Sequence, residues 1–147
     1  MRAVRAFIVG CCLATVACGD DDSSAPPRFP AVAGTYRIEG TFDALPAANA
    51  NLTGTITLTQ PSRNDAALTG AANVTLVLTG STPAVLTTVT NATVNEAGAV
   101  TFELPPPNAT SRWVFTGSAT PGVITGTHTL IPATGPSFGG RFTATRQ

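Results

Sequence analysis

A chain of 147 residues with no long low-complexity run has room for one domain plus processing segments, and a second domain is not expected. All eight basic residues are arginine. From Cys18 onward six of them, at 28, 37, 63, 112, 141 and 146, stand singly against eight carboxylates, a net charge of −2. No basic stripe is present to displace counterions from phosphates, so nucleic acid is excluded as a partner.

The first element is a leader. Arg2 and Arg5 form a positive n-region, and Ala6 to Ala17 form an apolar core of about a dozen residues, within the range of a secretory h-region and short of the ~20 needed to span a bilayer. The run Leu13-Ala14-Thr15-Val16-Ala17-Cys18 resembles the lipobox of bacterial lipoproteins. That resemblance implies cleavage after Ala17 and a diacylglyceryl group on the Cys18 thiol. Thr15 stands where the family places leucine, which leaves soluble secretion by ordinary cleavage after Ala17 as the alternative. A rival box, Ile8-Val9-Gly10-Cys11, leaves too few apolar residues after Arg5 and is rejected on length. The three cysteines, Cys11, Cys12 and Cys18, all fall in the leader region, so no disulfide framework or thiolate metal site is expected in the domain.

Residues 18–33 read as a flexible tether, acidic at Asp20, Asp21 and Asp22 and then rich in proline at Pro26, Pro27 and Pro30. Like charges repel and prolines favour extended geometry, so the segment should hold the domain off the membrane. Calcium binding by the three aspartates is set aside, because a calcium site needs about six to eight oxygens arranged around the ion.

From Gly34 to the C-terminus the pattern has a period of two. Leu52, Ile56 and Leu58 share one face while Thr53, Thr55, Thr57 and Thr59 share the other, as half-buried strands require. The alternation recurs through Tyr36 and Ile38, Val74 and Leu76, Val100 and Phe102, Trp113 and Phe115, Ile124 and His128, and Phe138 and Phe142. No stretch carries a helical stripe. Breakers at Pro46, 61–65, 81–83, 95–98, 105–108, 120–122 and 132–136 divide the domain into about eight strands, near 34–42, 52–60, 67–80, 84–95, 98–104, 111–119, 122–131 and 138–146. The connections are too short for parallel crossovers, so an antiparallel meander follows.

A repeated triplet, apolar-Thr-Gly, occurs at 52–54, 68–70, 78–80, 115–117 and 124–126. Glycine inside a strand permits the bulges and bends that close a small sheet. The fold expected over 34–147 is all-β, a single meander closed as a small up-and-down barrel, with a β-sandwich as the alternative. Residues 111–117 and 124–127 resemble strand segments of avidin-type and lipocalin-type barrels, and Gly34-Thr35-Tyr36 is similar to the Gly-x-Trp that opens lipocalins, with tyrosine for tryptophan. Avidin-type biotin sites use several tryptophans. This chain has Trp113 alone, so biotin binding is not implied.

Chemistry is sparse. His128 is the only histidine and by parity joins Ile124 and Leu130 on an apolar face, where it reads as a hydrogen-bonded packing residue. No nucleophile elbow, phosphate-binding glycine loop or transition-metal ligand set is present, and Glu39, Asp43, Asp65, Glu96 and Glu103 are scattered. Four Asn-x-Thr triplets, at Asn51, Asn73, Asn91 and Asn108, are what chance gives in a threonine-rich chain. The expectation is a non-enzyme without catalytic residues, metal or cofactor, anchored through Cys18 to a bacterial membrane and facing the periplasm or exterior. Two functions are open: a barrel that binds a small apolar ligand, with Tyr36, Trp113 and His128 as candidate lining, or a filled structural barrel that contacts envelope components.

Overall fold

The computed structural model describes residues 26–43, 50–78, 82–107 and 110–147. The leader, Cys18, the acidic part of the tether and the Gly80 end of the third predicted strand lie outside the described residues.

Alternation dictates the local structure. In β1 (Gly34–Phe42) Tyr36 and Ile38 are buried while Arg37 and Glu39 are exposed, and in β2 (Asn51–Thr59) Leu52, Ile56 and Leu58 are buried while Thr53, Thr57 and Thr59 are exposed. The same pattern builds β3 (Ala67–Val77), β4 (Ala84–Thr88), β5 (Thr90–Val94), β6 (Ala99–Glu103), β7 (Arg112–Thr120), β8 (Val123–Ile131) and β9 (Phe138–Arg146). Every pairing is antiparallel. Because β1 pairs with both β2 and β9, and β2 also pairs with β3, the sheet closes on itself. A sandwich has no such closure, so the fold is the up-and-down barrel of eight strand positions.

The fourth predicted strand is interrupted at Val89 and becomes β4 and β5, which occupy successive stretches of the same β3 neighbour, from Leu76↔Ala84 to Ala67↔Thr93. The ladder shifts register there on both sides, and Asn91 adopts a left-handed φ of 49°. An irregularity of this kind bends a strand and raises its twist, which helps the sheet curl. Only β5 is then paired to β6, which stops at Glu103 ahead of Pro105, Pro106 and Pro107; proline has no N–H to offer the ladder.

At one end, here the lower, β1 begins and β9 finishes. Residues of the predicted tether pack against this end: Phe29 and Val32 are 7% and 1% exposed and belong to the core. Phe29 donates its N–H to the Arg63 carbonyl at 2.9 Å and accepts from Arg63 Nε at 3.1 Å. Val32 donates to Gln60 Oε1 at 3.2 Å, Arg146 donates to the Ala33 carbonyl, and Arg28 pairs with Glu96. The described part of the tether is therefore a plug. The proline-rich composition that suggests extension is compatible with this, because an extended polyproline-type segment turns residues three apart, as Phe29 and Val32 are, to the same side.

Candidate functional site

The barrel interior converges on an aromatic cluster nearer the upper end. Phe102 and Phe115, from neighbouring strands in register, stack at 4.8 Å with an interplanar angle of 4°, and Phe142 meets both edge-on at 6.0 and 5.3 Å. Trp113 lies 5.2 Å from Phe115, and Phe42 stacks on Trp113 at 5.9 Å. Trp113, Phe102 and Phe115 are all fully buried. Offset and edge-to-face pairs at such spacings add about 0.5–1.5 kcal/mol each beyond area burial.

His128 sits within this cluster at 1% exposure, with Phe42 4.7 Å away edge-on. Trp113 Nε1–H donates to His128 Nδ1 at 3.1 Å, and the other ring nitrogen, Nε2, is 2.9 Å from the Thr41 carbonyl. An indole N–H can only donate, so Nδ1 must be the acceptor and the proton resides on Nε2, which donates to Thr41. Burial pushes the His128 pKa down, while the bond to Thr41 and the charge of Asp43 pull it partly back. The neutral ring is the form this site holds.

The Nε2 bond crosses a strand. His128 lies opposite Gly140 on β9, and Gly140 lies opposite Phe42 on β1, so the imidazole reaches from β8 to β1 over a residue with no side chain. A Cβ at Gly140 would lie 1.7 Å from the Thr41 oxygen. Gly139-Gly140 is the signal in the sequence that could have located this crossing, and parity alone does not reveal it.

Of the three candidate lining residues, the fold brings Trp113 and His128 together and places Tyr36 apart, near the lower end opposite Ile56 and Arg146. Tyr36 is 2% exposed, and its hydroxyl donates to the Val32 carbonyl at 2.9 Å. Burial raises its pKa, against the opposing pull of the Arg146 charge. Cys18, the predicted lipidation site, lies outside the described residues.

The outer face is polar. Around β2, β1, β9 and β8 it presents Thr53, Glu39, Thr143 and Thr125 in register across adjacent strands, with Asn51, Thr41, Arg141 and Thr127 in the next row. Arg37 and Glu39 form an ion pair at 2.8 Å on this face. Membrane-spanning barrels carry an apolar band outward, and these rows are the reverse of that arrangement. Two open grooves follow these rows, each of about 430 Å³, and share Arg141, Phe142 and Thr143. A third, of about 290 Å³, lies at the lower end between Pro30, Arg63, Pro121 and Arg146. Among the described residues no group of three or more His, Cys, Asp or Glu is placed to hold a metal ion, and no helix is long and apolar enough to cross a membrane.

No family model matches the chain, and no curated protein or solved structure matches it.

Proposed function

We propose that this chain is exported, cleaved ahead of Cys18, acylated there and held at a bacterial membrane facing the periplasm or exterior, where the barrel serves as a structural or interaction module for other envelope components. The filled interior carries the second half of that reading. Phe102, Trp113, Phe115 and His128 occupy the space a ligand would need, and the polar atoms of Trp113 and His128 are satisfied by each other and by Thr41. Tyr36 is likewise committed to Val32. With the inside spent on packing, the threonine-rich outer rows and their grooves are the surface left to meet a partner. The lone histidine is bonded at both ring nitrogens in the core, which supports reading the protein as non-catalytic.

The leader supports the first half. An apolar core of about a dozen residues after two arginines and a small-residue run ending at Cys18 suits export and lipidation. Several acyl chains give stable anchoring where a single chain is marginal, at about 0.8 kcal/mol per buried methylene.

Mass spectrometry of the full chain expressed in a bacterium tests both halves. The expected mature N-terminal peptide begins at Cys18 and carries the mass of a diacylglyceryl group, and Cys18→Ser moves the protein to the soluble fraction. An unmodified N-terminus overturns lipidation in favour of secretion. A stoichiometric apolar molecule retained in native mass spectra overturns the filled barrel and favours the ligand-binding reading.

A further inference from the structure

Four things meet at the upper end of the barrel: the buried His128, the indole that donates to it, the Thr41 carbonyl that accepts from it, and the half-buried ring of Phe42 between them and solvent. The neutral imidazole satisfies both polar partners. The imidazolium cannot, because both of its nitrogens are donors: Nε2–H keeps Thr41, but Nδ1–H is driven against the Trp113 N–H across 3.1 Å. Protonation thus turns one buried hydrogen bond into a donor facing a donor, in a place where the new charge has lost its water.

The charges around the ring do not rescue the cation. Just past the end of β1, Asp43 is the one charged residue that acts on it, and it favours protonation. From β7 the ring meets Trp113 and Phe115, and from β9 it lies opposite Gly140; Leu52 of β2 reaches the same space beside Gly40. Trp113, Phe115, Gly140 and Leu52 bring no ionisable group to the ring. Arg112 on β7 and Arg141 on β9 occupy the exposed, outward positions of the alternation.

The bond that survives, from Nε2–H to the Thr41 carbonyl, ties the charged ring to the end of a strand. Thr41 and Phe42 are the last residues of β1, paired to β9 at Arg141 and Gly140, and beyond them Asp43 adds one backbone bond to Gly139 at 2.9 Å. β1 is paired on both sides from Tyr36 to Thr41, which also lies opposite Asn51 of β2, and only Phe42 is paired on one side. Relief is therefore cheapest at the strand end, where few backbone bonds must open for the imidazolium to reach solvent.

We propose that His128 is an acid-operated latch: its protonation breaks the bond to Trp113, and the charged ring, still held to Thr41 and beside Asp43, moves outward with the Thr41–Asp43 end of β1 and the Phe42 ring, opening the upper end of the barrel and exposing the apolar surface around Trp113 while the rest of the sheet remains closed. The latch goes beyond the envelope reading and does not rest on acylation of Cys18.

Trp113 is the only tryptophan and so reports the opening directly. In the purified full chain, its emission is expected to red-shift and its quenching by acrylamide to rise several-fold on acidification, with a midpoint below the ordinary histidine value of 6.5, while far-ultraviolet circular dichroism is unchanged. Asp43→Asn moves the midpoint further toward acid. His128→Gln keeps an acceptor for Trp113 and a donor for Thr41, and holds Trp113 buried through the same range. Exposure of Trp113 only when the dichroism is lost, or opening of His128→Gln at the wild-type pH, overturns the latch. Should His128→Gln fail to fold, imidazole ¹⁵N shifts of the wild-type chain decide it. Nδ1 must read as an unprotonated acceptor at neutral pH and titrate with the Trp113 midpoint, and a different midpoint overturns the proposal.

Discussion

Tyr36 shows how one residue can serve core and connection together. Its ring is buried opposite Ile56, and its hydroxyl reaches four residues back to Val32, tying the plug to β1. Tyr36→Phe keeps the ring and orphans the Val32 carbonyl. A loss of about 1 kcal/mol is expected, read as a lower urea midpoint with an unchanged slope. His128 makes a second prediction at this scale. Its folded pKa lies below the unfolded value of 6.5, so above pH 6.5 both states are neutral and the group contributes no pH slope. Below it the unfolded chain takes up a proton that the closed barrel refuses, and stability falls with pH until the folded pKa is passed. The thermal midpoint should drop between pH 7.5 and 5, and that drop should shrink in His128→Gln. The alternation alone told that Tyr36, Trp113 and His128 face inward. That Trp113 bonds to a histidine 15 residues away was illegible, because it depends on the β7–β8 register, which sets Trp113 against Leu130 and Phe115 against His128.

At the scale of strands, the apolar-Thr-Gly triplets acquire a geometric meaning. Gly54, Gly70, Gly117 and Gly126 all lie where a neighbouring strand passes so close that a Cβ would stand 2.1, 2.3, 2.6 and 2.1 Å from a backbone oxygen. Gly117 and Gly126 are directly opposed, and Phe142, which lies opposite Gly126, brings its ring to the space a Gly117 side chain would need. A glycine pair on two strands thus makes the bed for an aromatic from the third. Gly126→Ala must push the Thr116 carbonyl aside and should cost about 1–3 kcal/mol, measured by chemical unfolding. Asn91, left-handed near the start of β5, should accept glycine with little loss, while Asn91→Ala should cost on the order of 1 kcal/mol in the same assay. The triplets were visible in the sequence as corner material. The break at Val89 was not, since residues 84–95 read as one run and the irregularity arises from matching β3 on one side and β6 on the other.

For the molecule as a whole, closure is the governing fact. The seam between β1 and β9 joins residues about a hundred positions apart, and such non-local pairing makes folding slow relative to helical proteins of equal size. Closure leaves two ends to seal. The upper is filled by Phe42, Trp113 and His128, and the lower by Phe29 and Val32 from the plug. Because the Phe29 ring is buried in the core, with its backbone fixed by one bond to the Arg63 carbonyl and one from the Arg63 side chain, Phe29→Ala should cost about 3–5 kcal/mol. Differential scanning calorimetry checks this. A midpoint within a degree of wild type would mean that the segment merely rests on the surface.

The sequence by itself determined strand existence, the inward and outward sets and the barrel as the favoured closure, because each of these follows from a period of two and from glycine and proline punctuation read locally. Tertiary structure alone decided that the sheet closes through β1, that an aromatic cluster is buried inside it, that residues 29 and 32 belong to the core, and that His128 is hydrogen-bonded to Trp113 and Thr41. These depend on which residue of one strand lies beside which residue of another, and register is a property of the assembled barrel rather than of any stretch of chain.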